Sequence, residues 1–218
     1  ALYQLQPENM GIDSRPEDAV SILNNWWGAV RAAKLEPTGA TPPSIPADRL
    51  PETARTELER DVYTLEDARH IRGCYLASDI VGVVTGKTDG DLAKVRQLFD
   101  WVCRNVTLLN EDEPAPALTF YEIVVLGRGR PQDRTIVFSE LLRQLRLDTL
   151  VLRTAGDEPA WVVGVPIEKD VYLFDFRLGM PLPRDDSGTG TPATLAEVLA
   201  HPEWLKSLEA RSDQPYEP

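Results

Sequence analysis

Apolar residues between Pro16 and Ala33 recur at helical spacing, with Val20, Leu23, Trp27 and Val30 along one side, and predict an amphipathic helix. Ser14-Arg15-Pro16-Glu17 precedes it in the pattern of a capping box, with proline just inside the first turn. The periodicity lapses from Glu36 to Pro51. Five prolines in that stretch remove backbone donors and fix φ, which predicts an extended, wrapping connector. Thr64 caps the next predicted helix, running to about Val84 with Ala68, Ile71, Tyr75 and Ile80 in a looser stripe, and Gly86 and Thr88-Asp89-Gly90-Asp91 stop it. A third helix starts near Asp91 with Leu92, Val95, Leu98, Phe99, Val102 and Val106 on its apolar face. An acidic, proline-bearing loop, Asn110 to Pro116, and a short apolar segment lead to Gly127-Arg128-Gly129-Arg130. The helix from about Pro131 to Leu145 carries Ile136, Val137, Leu141, Leu142 and Leu145.

The period then changes. Thr149 to Arg153, Ala160 to Val165 and Val171 to Phe176 are short runs rich in β-branched and aromatic residues, separated by polar turns. The last two are expected to pair as an antiparallel hairpin centred near Ile167, which would set residues 159 and 175 opposite one another. Thr194-Leu-Ala-Glu197 opens a final helical region, interrupted at His201-Pro202. Helices first and strands second predict an α+β fold with helices packed on a small antiparallel sheet. Residues 1–51 read as an N-terminal helix and proline-rich connector, and residues 52–218 as the main domain.

Composition narrows the function classes. The 218 residues carry a net charge of −12, which disfavours nucleic acid as a partner, because phosphate binding needs a basic face. No run approaches the roughly 20 apolar residues of a membrane-spanning helix. The sequence starts at Ala1 without Met, so a processed or excised chain is expected, and no basic, then apolar, leader is visible from Ala1 on. Two cysteines, Cys74 and Cys103, cannot build a disulfide scaffold, and sequence leaves their pairing open.

One stretch, about Leu92 to Leu182, resembles the core of the transglutaminase-like superfamily, whose fold is papain-like. The resemblance rests on Lys94-Val95 through Phe99-Asp100-Trp101-Val102 to Asn105-Val106 and on Gly129-Arg130-Pro131 through Leu141-Leu142-Arg143 to Leu147. Pro159-Ala160-Trp161-Val162 and Tyr172-Leu173-Phe174-Asp175 complete it. That family is similar to papain-like enzymes in using a helix-opening Cys activated by His, with Asp orienting the imidazole. Carried over, the Cys position falls on Pro131 and the His position on Pro159, and Asp175 alone survives. Proline has no nucleophile and no proton to shuttle. The resemblance therefore implies a catalytically degenerate member, a pseudoenzyme without cofactor that serves a structural or binding purpose. It also implies a bacterial, exported or cell-surface setting within a larger protein.

The remaining residues offer weaker sites. His70 and Cys74 are i and i+4 on one helix and share a face, but two ligands make a poor zinc site. Cys103 is mid-helix and reads as a core thiol, and His201 as a boundary residue. A hydrolase or transferase using another site would need a nucleophile such as Ser139 or Cys74 beside a base. The local basic cluster is sharper. Arg128, Arg130 and Arg134 surround a helix N-terminus, where free N–H groups favour anions, and could bind a carboxylate or phosphate ligand with Trp161 as a wall. Alternatively they pair with Asp133, Asp175 or Glu111-Asp112-Glu113. Only one of Trp26 and Trp27 can face the core, and the other packs under the connector or serves a protein partner or oligomer contact. Trp101 reads as a core residue and Trp204 as the anchor of the last helix.

Overall fold

A computed structural model describes residues 2–6, 9, 15–34, 50–109, 116–152, 162–184 and 191–204. Ser14, most of the 36–51 connector, the 110–115 loop, Arg153, Pro159, Ala160 and Trp161 lie outside the described residues. The chain divides into two compact units, Ala1–Tyr75 and Leu76–Pro218.

The first unit holds a 3-10 turn, Leu2–Leu5, and helices α1 (Pro16–Ala32) and α2 (Glu52–Leu58), with the start of α3 (Leu65–Thr85). Leu5, Ala19, Leu23 and Ala68 are its buried centre, with Ile71 and Tyr75 packed against them. Asp18 caps α1 by accepting the Arg15 N–H at 3.1 Å, so the cap lies one residue later than the Ser14–Glu17 pattern predicts. Neither indole of the Trp pair is buried. Trp26 is 42% exposed and tilts against Tyr63, and half-buried Trp27 donates its Nε1–H to Asp61. Asn24 accepts from the Tyr63 N–H and donates to the Tyr63 carbonyl, both at 2.9 Å, tying α1 to the segment ahead of α3.

In the second unit α4 (Asp91–Asn105) runs into strand β1 (Thr107–Leu108). Helix α5 (Phe120–Leu126), strand β2 (Arg128–Gly129) and helix α6 (Pro131–Gln144) follow. Strands β3 (Leu150–Leu152), β4 (Val162–Ile167), β5 (Asp170–Asp175) and β6 (Met180–Pro181) form an antiparallel sheet in that order, and α7 (Leu195–Ala200) closes the described part. This is the expected α+β fold with helices on a small antiparallel sheet. Among the described residues no helix is long and apolar enough to cross a membrane.

Alternation along β4 and β5 separates two cores. Val163, Val165 and Phe174 face α4 and α6, while Val162 and Leu173 face Leu182, Ala193 and Val198. Phe99, Phe138, Phe174 and Phe176 form one aromatic cluster, with Phe99 at 4.8 Å from Phe176 and 5.9 Å from Phe138 between ring centroids. Edge-to-face and tilted ring pairs at such spacings add roughly 0.5–1.5 kcal/mol each beyond area burial.

Two expectations are corrected. The sequence groups Ile136 with the apolar residues of α6, but it is 42% exposed. The buried arc is Arg134, Thr135, Val137, Phe138, Leu141 and Leu142, which leaves Ile136 on the opposite side. The hairpin is also not centred at Ile167. Its turn is Glu168-Lys169, with Glu168 at φ +55°, so Ile167 faces Asp170 and Asp175 faces Val162 rather than residue 159. The partner moves by three residues, an odd number, which also reverses the face opposed.

Candidate functional site

The start of α6 is built from an extended Arg130 followed by Pro131 at the first helical position, where the absent N–H costs nothing. The Arg130 N–H donates to Asp133 Oδ2 at 2.7 Å, so the helix N-terminus already carries its own carboxylate. Gly129 lies flat against that cap: a Cβ there would stand 2.7 Å from Asp133 Cβ. The preceding glycine, Gly127, ends α5 in the left-handed region at φ +63°. The glycine–arginine loop is zipped to the segment after α4. Thr107 N–H donates to Gly127 O at 2.9 Å and Leu109 N–H to Gly129 O at 3.0 Å, with β1 and β2 in parallel register.

The three arginines of the loop part company. Arg128 is exposed and Arg130 half-buried at the entrance to α6. Arg134 turns inward and is 7% exposed. Its Nε donates to Val106 O at 2.7 Å, Nη1 to Phe176 O at 3.0 Å and Nη2 to Cys103 O at 3.1 Å. One guanidinium thus ties the C-terminal end of α4 to the turn after β5 through backbone carbonyls. Burial lowers its pKa, yet a guanidinium remains charged in proteins. Beside it the Cys103 thiol is pushed up to about 11, chiefly by burial; Arg134 pulls it down, while Asp100 and Asp175 push it up. A thiol so far from the thiolate state is a poor nucleophile.

Asp175 is fully buried and ends β5. Its Oδ1 accepts the Arg177 N–H at 2.6 Å and the Leu178 N–H at 3.1 Å, an Asx turn that reverses the chain toward β6. Among the described residues Oδ2 has no hydrogen-bond partner, and it lies 3.7 Å from Arg177 Nη2. Desolvation raises the Asp175 pKa against the lowering effect of those amides and of Arg177. By strand register the carboxyl shares the sheet face of Val162 and Leu173, whereas α6 packs on the other face. Pro159 and Trp161, the other positions singled out from sequence, lie outside the described residues.

The weaker candidates are placed plainly. Cys74 Sγ is 3.5 Å from His70 Nε2 on α3, so the two share a face as expected. They lie inside a helix, where backbone amides are used by the helix itself and no N-terminal dipole favours a thiolate. Cys74 and Cys103 are not joined by a disulfide. The Ser139 hydroxyl is held by Thr149 Oγ1 at 3.0 Å. His201 stacks on Trp204 at 4.8 Å and contacts Glu203. Among the described residues no group of three or more His, Cys, Asp or Glu side chains is placed to hold a metal ion. Sequence reasoning missed Asp133 as a cap and Arg134 as a clamp. The signals were there: Asp133 is three residues after Arg130, and Arg134 is in helical phase with Val137, Phe138, Leu141 and Leu142.

No protein-family profile matches the sequence, and no curated protein does. A solved structure from Cytophaga hutchinsonii, described as a "putative cysteine protease", aligns with a TM-score of 0.39 and 17% identity. The alignment covers 72% of this chain and 52% of that one, so the chain spans about half that protein's length. A TM-score of this size does not by itself assign a fold family or an activity.

Proposed function

We propose that the segment from about Leu92 to Leu182 is the core of a transglutaminase-like, papain-related domain that has given up catalysis and serves a structural or binding role. The observation that carries this reading is the chemistry at the start of α6. There the helix-opening position that the family uses for its nucleophile is Pro131, and the dipole behind it is spent on Asp133. The described motif segments support the superfamily resemblance by sharing one core: Phe99 from α4, Phe138 from α6, Val163 from β4 and Phe174 from β5. Their polar residues act as structure. Arg134 clamps three carbonyls, and Asp175 spends Oδ1 on a turn.

A second reading, cysteine chemistry elsewhere, has one observation in its favour, the His70–Cys74 contact. Assays of peptide amide hydrolysis and of amine incorporation into glutamine peptides, run on wild type and on C74S and C103S variants, test both readings. Turnover no different among the three and the protein-free blank is expected. Turnover that disappears in C74S would establish the second reading, and turnover that disappears in C103S would overturn the non-catalytic one.

A further inference from the structure

The N-terminal unit carries an open groove of about 310 Å³ that combines two aromatic rings with acids. Trp27 and Tyr63 supply its apolar wall; Glu57, Asp61 and Glu66 stand against one basic lining residue, Arg60. The edge of the groove already shows how it receives a guanidinium. Arg31 of α1 lies over the Trp27 ring with Cζ 5.7 Å from the centroid and pairs with Asp61, which also accepts the Trp27 Nε1–H at 2.9 Å. An aromatic face next to a carboxylate is the standard chemistry for a planar cation.

We propose that this groove docks the arginine side chain of a polypeptide, laid against Trp27 and Tyr63 and ending on Glu57 and Glu66. Charge complementarity selects a cation over an anion or a neutral group. The groove's shape selects a polypeptide over a small molecule: the Glu57 and Glu66 side chains are 69% and 72% exposed. So open a site cannot enclose most of a small ligand's surface, as small-ligand pockets do. A side chain reaching in from a longer chain needs no such enclosure. The carboxylates are available by exchange, because their present partners, Arg60 at 3.9 Å and Arg69 at 2.6 Å, are solvent-exposed i,i+3 pairs of the kind worth little. The inference stands apart from whether residues 76–218 are catalytic.

The test is an amide-resolved NMR titration of the full chain with the blocked peptide Ser-Gly-Arg-Gly-Ser, its citrulline counterpart and N-acetylarginine amide. Citrulline keeps the size and plane of the guanidinium and removes its charge. Saturable shifts confined to the Trp27 indole and residues 57–67 are expected with the arginine peptide, weakening with salt. Binding of the citrulline peptide, and of the arginine peptide to an E57Q/E66Q variant, is expected to be about two- to thirtyfold weaker, the effect of losing two exposed ion pairs. Both substitutions are on exposed side chains, so the variant keeps the wild-type melting temperature. Equal binding of the citrulline peptide, shifts outside the groove, or an unaffected double variant would overturn the site. If N-acetylarginine amide binds as tightly as the peptide, the polypeptide assignment fails and the occupant is a small guanidinium compound.

Discussion

Replacing Arg134 by Met keeps most of the side-chain length and removes every donor. Three backbone carbonyls, those of Cys103, Val106 and Phe176, would lose their partner. Hydrogen bonds from a charged donor contribute about 1.5–3 kcal/mol each, or about 4.5–9 kcal/mol for three. Three bonds from one side chain are not additive, and the methionine regains apolar burial, which together offset part of that. The difference leaves a net loss of about 3 kcal/mol, within the range for breaking a buried polar network. For a unit of this size such a loss lowers the melting temperature by roughly 10 °C. Urea unfolding followed by far-UV circular dichroism gives the free energy directly. R134K is expected to lie near R134M, because an ammonium cannot reach three carbonyls in the fixed fork that arginine provides. A loss under about 1 kcal/mol in R134M would refute the clamp. It would do so most clearly if phosphate or citrate stabilised wild type but not the variant, since that result assigns Arg134 to a ligand.

The Asp175 pKa is raised on folding, so the folded state binds its proton more tightly than the unfolded chain. Stability from this group is therefore fully present below the unfolded carboxylate range and lost as pH rises through the folded pKa. D175N keeps the acceptor for Arg177 and Leu178. In denaturant titrations across acidic to neutral pH, it is expected to be relatively more stable toward neutrality than toward acid; a constant wild-type difference would sink this account. At pH 8 Cys103 should alkylate about a hundredfold more slowly than a free thiol, from a pKa raised from 9.0 to about 11. Peptide mass spectrometry of iodoacetamide-treated native protein reads this, and labelling as fast as glutathione would contradict it. G129A should cost about 1–3 kcal/mol, because its methyl would meet the Asp133 Cβ at 2.7 Å and that atom belongs to a helix start. A melting temperature equal to wild type would show that the cap moves aside freely.

Long periodic helices were legible because two signals agreed in each: α4 and α6 have buried residues at three- and four-residue spacing and a turn or cap at the start. Helices α2 and α5, of seven residues each, are too short to show a period. The Thr119–Glu122 box before α5 was the readable sign of it. Strands β1, β2 and β6 have two residues apiece, which no alternation can reveal. The β4–β5 faces follow from alternation, but the register follows from the turn. Glu168 in a left-handed conformation is not a residue that announces such a turn. From sequence Arg134 reads as an anion ligand or ion-pair partner, because charged residues at a core position need partners that only the folded chain brings from 28 to 42 residues away.

Five helices begin the same way. An acid at the third position accepts the backbone N–H of the residue before the helix: Asp18 for Arg15, Asp67 for Thr64, Glu122 for Thr119, Asp133 for Arg130 and Glu197 for Thr194. Each frame is thus written within four consecutive residues and owes nothing to the length of chain before it. Connectors ahead of the Arg15 and Thr119 starts can be lengthened or shortened without rotating the helix that follows, whereas Tyr63, Gly129 and Ala193, just before the other three, are fixed by contacts of their own. A doubled loop costs only about 0.6 kcal/mol in closure entropy. The acidic residues act as word breaks, and segments grafted ahead of Arg15 or Thr119 should leave every apolar face pointing where it did.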